Sequence, residues 1–203
     1  MNEKIIINAR IVDPSQKLDE MGSMIIDKNG KVKAIGKKVT KKDCPNAEVI
    51  DVKKNLIIPG IVDMKAFVGE PGFEYKENFR TLSQAALAGG VTSIVTMPNT
   101  KPIIDNVSMV DFIMRRGRDK SKVNLFPCAS LTKQMEGKLM TEFGLLSAKG
   151  IIGFSDVNKT VQNTETMARI MDYASDIGVL IMQHAEDYDC LLYTSDAADE
   201  SSS

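Results

Sequence analysis

Six polar residues stand at or just past the ends of apolar runs. They are Asp63 after LIIPGIV, Asn99 after VTSIVTMP, Ser155 and Asp156 after IIGF, and His184 and Glu186 after VLIMQ. Imidazoles and carboxylates bind divalent metals and move protons. A side-chain amide such as that of Asn99 can orient a polar ligand. His184 is the sole histidine of the chain. Two readings of it stay open: a metal ligand, or a partly buried side chain satisfied by its neighbours. Asp156 is either a ligand or a cap on the turn that follows it. Asn99 and Thr100, just ahead of Lys101-Pro102, are either a binding loop or simple turn-formers.

Such residues act together only if a frame sets several strand ends side by side. From Leu56 onward the sequence supplies one. The run LIIPGIVDM predicts a strand, and YKENFRTLSQAALAGG a helix stopped at Gly89-Gly90. VTSIVTM is a strand and NVSMVDFIMRRGRD a helix, with Asn106 or Ser108 as its N-cap. KVNLFPCAS, IIGFSD and VLIMQHAED are further strands, separated by the helical stretches TEFGLLSAKG and TETMARIMDYASDIG. Continuous apolar strands alternating with helices imply a parallel sheet covered by helices. No GxGxxG follows the first strand, which argues against a dinucleotide-binding sheet. Five such strands fit either a doubly wound sheet or the first part of a (β/α)8 barrel. Polar residues at the strands' C-terminal ends suit the barrel, though open α/β sheets also bind ligands there. Residues 1–55 differ: KIIINARIVD, GSMIIDKNGKVKAIG and AEVIDVKK read as short strands, with Asn29-Gly30 as a two-residue hairpin turn. The expected fold is α/β, a partial (β/α)8 barrel of about five strand–helix units behind a small all-β module.

Composition narrows the function classes. The 203 residues carry a net charge of -1 and 43% hydrophobic residues, enough for a real core. No Lys/Arg-rich run stands out, so nucleic acid is not expected as a partner. The only apolar stretch near the N-terminus is too short for a signal peptide or membrane span, so a cytoplasmic protein without membrane contact is expected. Cys44, Cys128 and Cys190 are scattered and read as reduced thiols. Cys128 reads as a core thiol, and MRRGRDKSK as a solvated helix end.

The last residues, CLLYTSDAADESSS, break the composition. Cys190 to Glu200 resembles the in-frame translation of a transposase sequencing adapter. The expected organisation is therefore a β module at 1–55, a truncated barrel at 56–189, and a disordered adapter-derived tail at 190–203. A barrel cut at that point leaves strand edges open and favours aggregation.

The pieces PGIVDM, EPGFEYKE, AALAGGVTSIVTMPNTKPIIDN, GFSDVNKTVQN and QHAED occur between Ile58 and Asp187. With them the chain resembles the dihydroorotases, cyclic amidohydrolases of the amidohydrolase superfamily. That resemblance implies hydrolysis of a cyclic amide, interconverting dihydroorotate and carbamoyl-aspartate in pyrimidine biosynthesis, with zinc at the barrel mouth. It implies that Asp156 and His184 are metal ligands and that Asn99 binds the substrate. It also exposes three departures. Lys65 and Phe67 stand where the family has two metal-binding histidines, and Gly69 stands where it has an arginine that pairs with the substrate carboxylate. The family's catalytic aspartate would lie beyond Asp189.

These departures leave alternatives open. The first reading is a hydrolase of a small cyclic amide with one zinc ion at most. The second is a metal-free, non-catalytic relative acting as structural partner of aspartate carbamoyltransferase. A weaker third is a hydantoinase- or allantoinase-like hydrolase. Lys65 either snorkels to solvent or replaces the lost metal's charge beside Asp156. Phe67 fills the pocket. Homo-oligomerisation stays open.

Overall fold

A computed structural model describes residues 2–186. The tail at 190–203, with Cys190, lies outside the described residues, as do Asp187 and Asp189. Two compact units divide after Gly60.

The first unit is a five-stranded sheet. Strand β1 (Lys4–Asp13) pairs antiparallel with β2 (Leu18–Ile26) and parallel with β4 (Glu48–Asp51) and β5 (Leu56–Ile57). Strand β3 (Val32–Gly36) pairs antiparallel with β2. Ile5, Ile25 and Cys44 form its buried centre. The β2–β3 hairpin exists, but not on a two-residue turn. The Asp27 carboxylate accepts the N–H groups of Asn29 and Lys31 at 2.8 and 2.9 Å, which closes a five-residue loop, 27–31. Gly30 takes the left-handed conformation that this loop needs, with φ of 80°.

The second unit carries β6 (Ile61–Ala66), β7 (Val91–Thr96), β8 (Asn124–Pro127), β9 (Gly153–Phe154) and β10 (Leu180–Ile181). Strands β6, β7 and β8 pair in parallel and in sequence order, as do β9 and β10. A parallel bridge from Ala129 to Phe154 links the two sets. Helices α1 (Phe79–Ala88), α2 (Val107–Lys120), α3 (Phe143–Ser147) and α4 (Thr164–Ile177) lie between them in the chain. Phe79, Ile113, Leu131, Phe143, Phe154 and Ile170 belong to the main buried cluster. This is part of a (β/α)8 barrel.

The run from Leu56 to Met64 is not one strand. Pro59 withholds an N–H, and the chain leaves the first sheet at Ile57 and enters the second at Ile61. Helix α1 starts later than YKEN suggested. Asn78 accepts the N–H groups of Arg80 and Thr81 at 3.1 Å and holds the preceding residues outside the helix. Asn106 and Asn163 cap α2 and α4 in the same way, each cap contributing about 1 kcal/mol. Gly178, at φ of 69°, ends α4. No helix among the described residues is long and apolar enough to cross a membrane.

Candidate functional site

The C-terminal ends of β6 to β10 bring the polar residues of the second unit toward one rim. At β6 the backbone N–H of Lys65 bonds the Asp63 carboxylate at 2.9 Å. The exposed Lys65 ammonium donates to Asn158 Oδ1 at 3.3 Å, in the loop after β9. Of the two readings of Lys65, the solvent-facing one holds, and no Lys65–Asp156 ion pair is formed. Phe67 is half-buried, its ring centroid 6.2 Å from that of Phe73. Gly69 has φ of 70°, and a Cβ there would lie 2.5 Å from the Glu77 carbonyl oxygen and 2.9 Å from that of Phe73. The backbone at Gly69 has closed on the space an arginine side chain would leave through.

Beside it, Glu70 is buried. One of its carboxylate oxygens accepts from Arg116 Nε at 2.7 Å and also from Arg116 Nη2, and the other accepts the Phe79 N–H at 3.2 Å. Arg116 is thus not part of a merely solvated helix end.

After β7, Asn99 Oδ1 is buried with no hydrogen-bond partner. Thr100 behaves as a turn residue, its hydroxyl donating to the Pro102 carbonyl at 2.6 Å. After β8, the Cys128 thiol donates to the Gly153 carbonyl at 3.0 Å. Burial, then the charge of Asp156, pushes this thiol far up, so it stays protonated and inert.

Asp156, after β9, is 1% exposed. It does not cap its own turn, because the Ser155 hydroxyl takes that role and accepts the Val157 N–H at 3.0 Å. The Asp156 carboxylate instead accepts the backbone N–H of Thr132 at 3.1 Å and the Thr132 hydroxyl. Burial raises its pKa above the ordinary aspartate range, while the Thr132 bonds pull the other way. After β10, His184 Nε2 lies 2.8 Å from Glu186 Oε2. Thr160 organises this segment: its hydroxyl donates to the His184 carbonyl at 2.5 Å and accepts the Glu186 N–H at 3.1 Å.

Thr132, Asn158 and Thr160 escape a reading of the sequence for chemistry. Asn158 and Thr160 lie inside GFSDVNKTVQN, which was a signal. Thr132 has no motif and is joined to Asp156 only by folding.

These residues can orient a polar ligand. They do not build a metal cage. Lys65 and Phe67 offer no lone pair to a cation, the Asp156 carboxylate already serves Thr132, and the His184 ring meets Glu186. Among the described residues no group of three or more His, Cys, Asp or Glu side chains could hold a metal ion.

Comparison with known proteins gives a consistent picture. A family model described as dihydro-orotase-like matches residues 54–200. The dihydroorotase of Trichlorobacter lovleyi is 38% identical over 183 residues, 90% of this chain and 42% of that one. The dihydroorotase of Syntrophus aciditrophicus is 40% identical over 185 residues, 91% of this chain and 43% of that one. The chain thus spans well under half the length of these curated relatives. Among solved structures, the L-hydantoinase (dihydropyrimidinase) of Arthrobacter aurescens superposes with a TM-score of 0.81. It covers 100% of this chain and 45% of its own length at 19% identity, a likeness of fold.

Proposed function

Because the chain belongs to the dihydro-orotase-like family, we propose that the protein is a cyclic amide hydrolase of the dihydroorotase type. It interconverts dihydroorotate and carbamoyl-aspartate in pyrimidine biosynthesis. The observation that carries this reading is the identity of 38 to 40% with dihydroorotases across nine-tenths of the chain. In this reading Asn99 contacts the substrate carboxylate through its side-chain amide, whose N–H groups donate. Asp156 and His184 are the ligand-type groups of this chain. Two such groups are not a cage, so zinc enters only with ligands from outside the described residues, one ion at most. No step here is routed through it.

A second reading is favoured by the β6 end. Lys65, Phe67 and the closed backbone at Gly69 together replace a metal and carboxylate subsite. In that reading the protein is a non-catalytic structural partner of aspartate carbamoyltransferase.

One experiment separates the two. The protein is expressed from its natural gene in zinc-supplemented medium, and bound metal, dihydroorotate ring opening and co-elution with aspartate carbamoyltransferase are measured. Turnover supports the hydrolase, and hydantoin or allantoin cleavage in its place moves the substrate assignment. No turnover together with a stable complex establishes the partner role.

A further inference from the structure

We infer that the basic end of α2 and the strand beside it form a binding groove for a small organic polyphosphate, of the nucleoside di- or triphosphate class. None of Asn99, Asp156 or His184 lines this groove. The inference does not rest on the proposed activity.

Helical spacing builds one wall. Asp111, Met114, Arg115 and Arg118 recur every three or four positions or adjoin, so they share a side of α2. Lys122 follows on the turn just past the helix. With the side of β8 that faces the helix, these residues enclose a groove of about 640 Å³, within the usual range of small-ligand sites. Arg115, Arg118 and Lys122 are exposed and bring three cations to it, while Ile113, Leu125 and Pro127 lie deeper and give it an apolar floor.

The fold shapes the groove and leaves it open. Gly117 lets α2 sit close on β8, since a Cβ there would lie 2.9 Å from Leu125 Cδ1. Ser121 fixes the turn between them, its hydroxyl donating to the Val123 carbonyl at 2.8 Å and accepting the Val123 N–H at 3.1 Å. Helix α3 has five residues and lends none of them to the lining. The chain after α3 meets α2 a turn before the cations, where Lys149 pairs with Asp111 at 3.2 Å. That pair engages the one carboxylate among the lining residues.

The fold does not account for the three cations. Among the described residues Arg115 and Lys122 form no ion pair, and Arg118 meets only its neighbour Asp119, at 3.4 Å. Cations at a helix C-terminus complement its dipole, but that effect fades within the last turn, and Arg115 stands before that turn. Like charges three and four positions apart repel. A bare triad therefore destabilises this end of the helix, and a polyanion relieves it. Arg116, on another side of the same helix, differs, because it bonds the buried Glu70. Guanidinium groups hold phosphate oxygens in bidentate fashion, and the apolar floor suits the organic body that carries the phosphates. A nucleic acid strand calls for a longer basic track, and the net charge of the chain is -1.

The test is isothermal titration of the full chain, expressed from its natural gene, with inorganic phosphate, pyrophosphate and ATP as probes. EDTA is present, so that no metal elsewhere in the protein holds the phosphates. Affinity should rise in that order and fall with added salt. The double variant Arg115→Gln/Arg118→Gln should weaken ATP about tenfold or more, as loss of charge-assisted bonds implies. Lys120→Ala removes an equally exposed charge of the same helix that faces Arg116 and Glu70 instead, and should stay within a few-fold. Arg115 and Arg118 are exposed, so the variant keeps the fold, which circular dichroism checks. No ATP binding by the wild type, equal affinity in the double variant, or ATP no tighter than pyrophosphate overturns the assignment. A short single-stranded oligonucleotide that binds far more tightly than ATP overturns it in favour of a nucleic acid surface.

Discussion

Thr132 gives Asp156 two hydrogen bonds, one from its backbone N–H and one from its hydroxyl. The Gly137 N–H donates to that same hydroxyl oxygen at 2.8 Å, which directs the hydroxyl proton to the carboxylate. The group best placed to be a ligand is thereby held by the chain's own donors. A residue 24 positions earlier does the holding.

Thr132→Val keeps the shape and the backbone N–H but removes the hydroxyl. Asp156 then has one donor in place of two, and the Gly137 N–H loses its acceptor. Burial makes both losses count, and the expected cost is about 2 kcal/mol. Urea unfolding of the two proteins side by side measures it. A difference within the noise of such fits means that water replaces the hydroxyl and that Thr132 does not hold the carboxylate.

Stability should also depend on pH through Asp156. Burial raises its pKa in the folded state, so the folded protein binds this proton more tightly than the unfolded chain does. The contribution is fully present below the ordinary aspartate pKa and is lost as pH rises through the folded value. Asp156→Asn removes the titration. In EDTA, wild type should therefore lose stability relative to Asp156→Asn as pH climbs from about 4. Unfolding curves at several pH values check this, and a gap that is flat or widens in favour of wild type contradicts the sign.

The alternation of strand and helix was legible because the strands are continuous apolar runs set between helical stretches, although in this chain Ile61 to Lys65 of β6 are exposed. The Asn106 cap and the Gly178 stop also announced themselves, since both do locally what their types favour, whereas the Asn78 cap lies inside the stretch that reads as helix. The break at Pro59-Gly60 was not seen, because apolar residues flank it evenly and only pairing distinguishes β5 from β6. The hairpin turn was misjudged in length, since the Asp27 carboxylate and not the Asn29-Gly30 pair closes the loop. At the site, the residues were visible as types but not as partners. Of the two readings open for Lys65, solvent or a pair with Asp156, the fold shows the exposed one, with Asn158 as its contact, and gives Asp156 to Thr132. Contacts between strand ends depend on barrel curvature, which no local pattern encodes.

Gly69 is fixed by its backbone as much as by its missing side chain. Gly69→Ala places a Cβ against two carbonyl oxygens at a positive φ, and Gly69→Arg does the same with a longer chain. Each should cost about 2 kcal/mol or more, and reinstating the arginine should not by itself restore a carboxylate clamp. Melting temperatures of both variants test this. Wild-type stability in Gly69→Ala would show that the loop at Phe73 and Glu77 yields easily.

Glu70 ties that loop to two helices at once. Its carboxylate accepts from Arg116 on α2 and from the Phe79 N–H at the start of α1. The Glu70 side chain is 5% exposed and that of Arg116 39%, so the pair is buried on one side only. Removing a partner of a fully buried pair costs about 3–5 kcal/mol. Solvent around Arg116 screens part of this, and about 2–3 kcal/mol is expected for Glu70→Ala. Glu70→Gln keeps an acceptor for Phe79 and should lose less. The double variant with Arg116→Met isolates the pair term, because each single change also disturbs its own surroundings. Strict additivity in that cycle would assign the loss to the Phe79 contact alone and leave Arg116 as a surface residue.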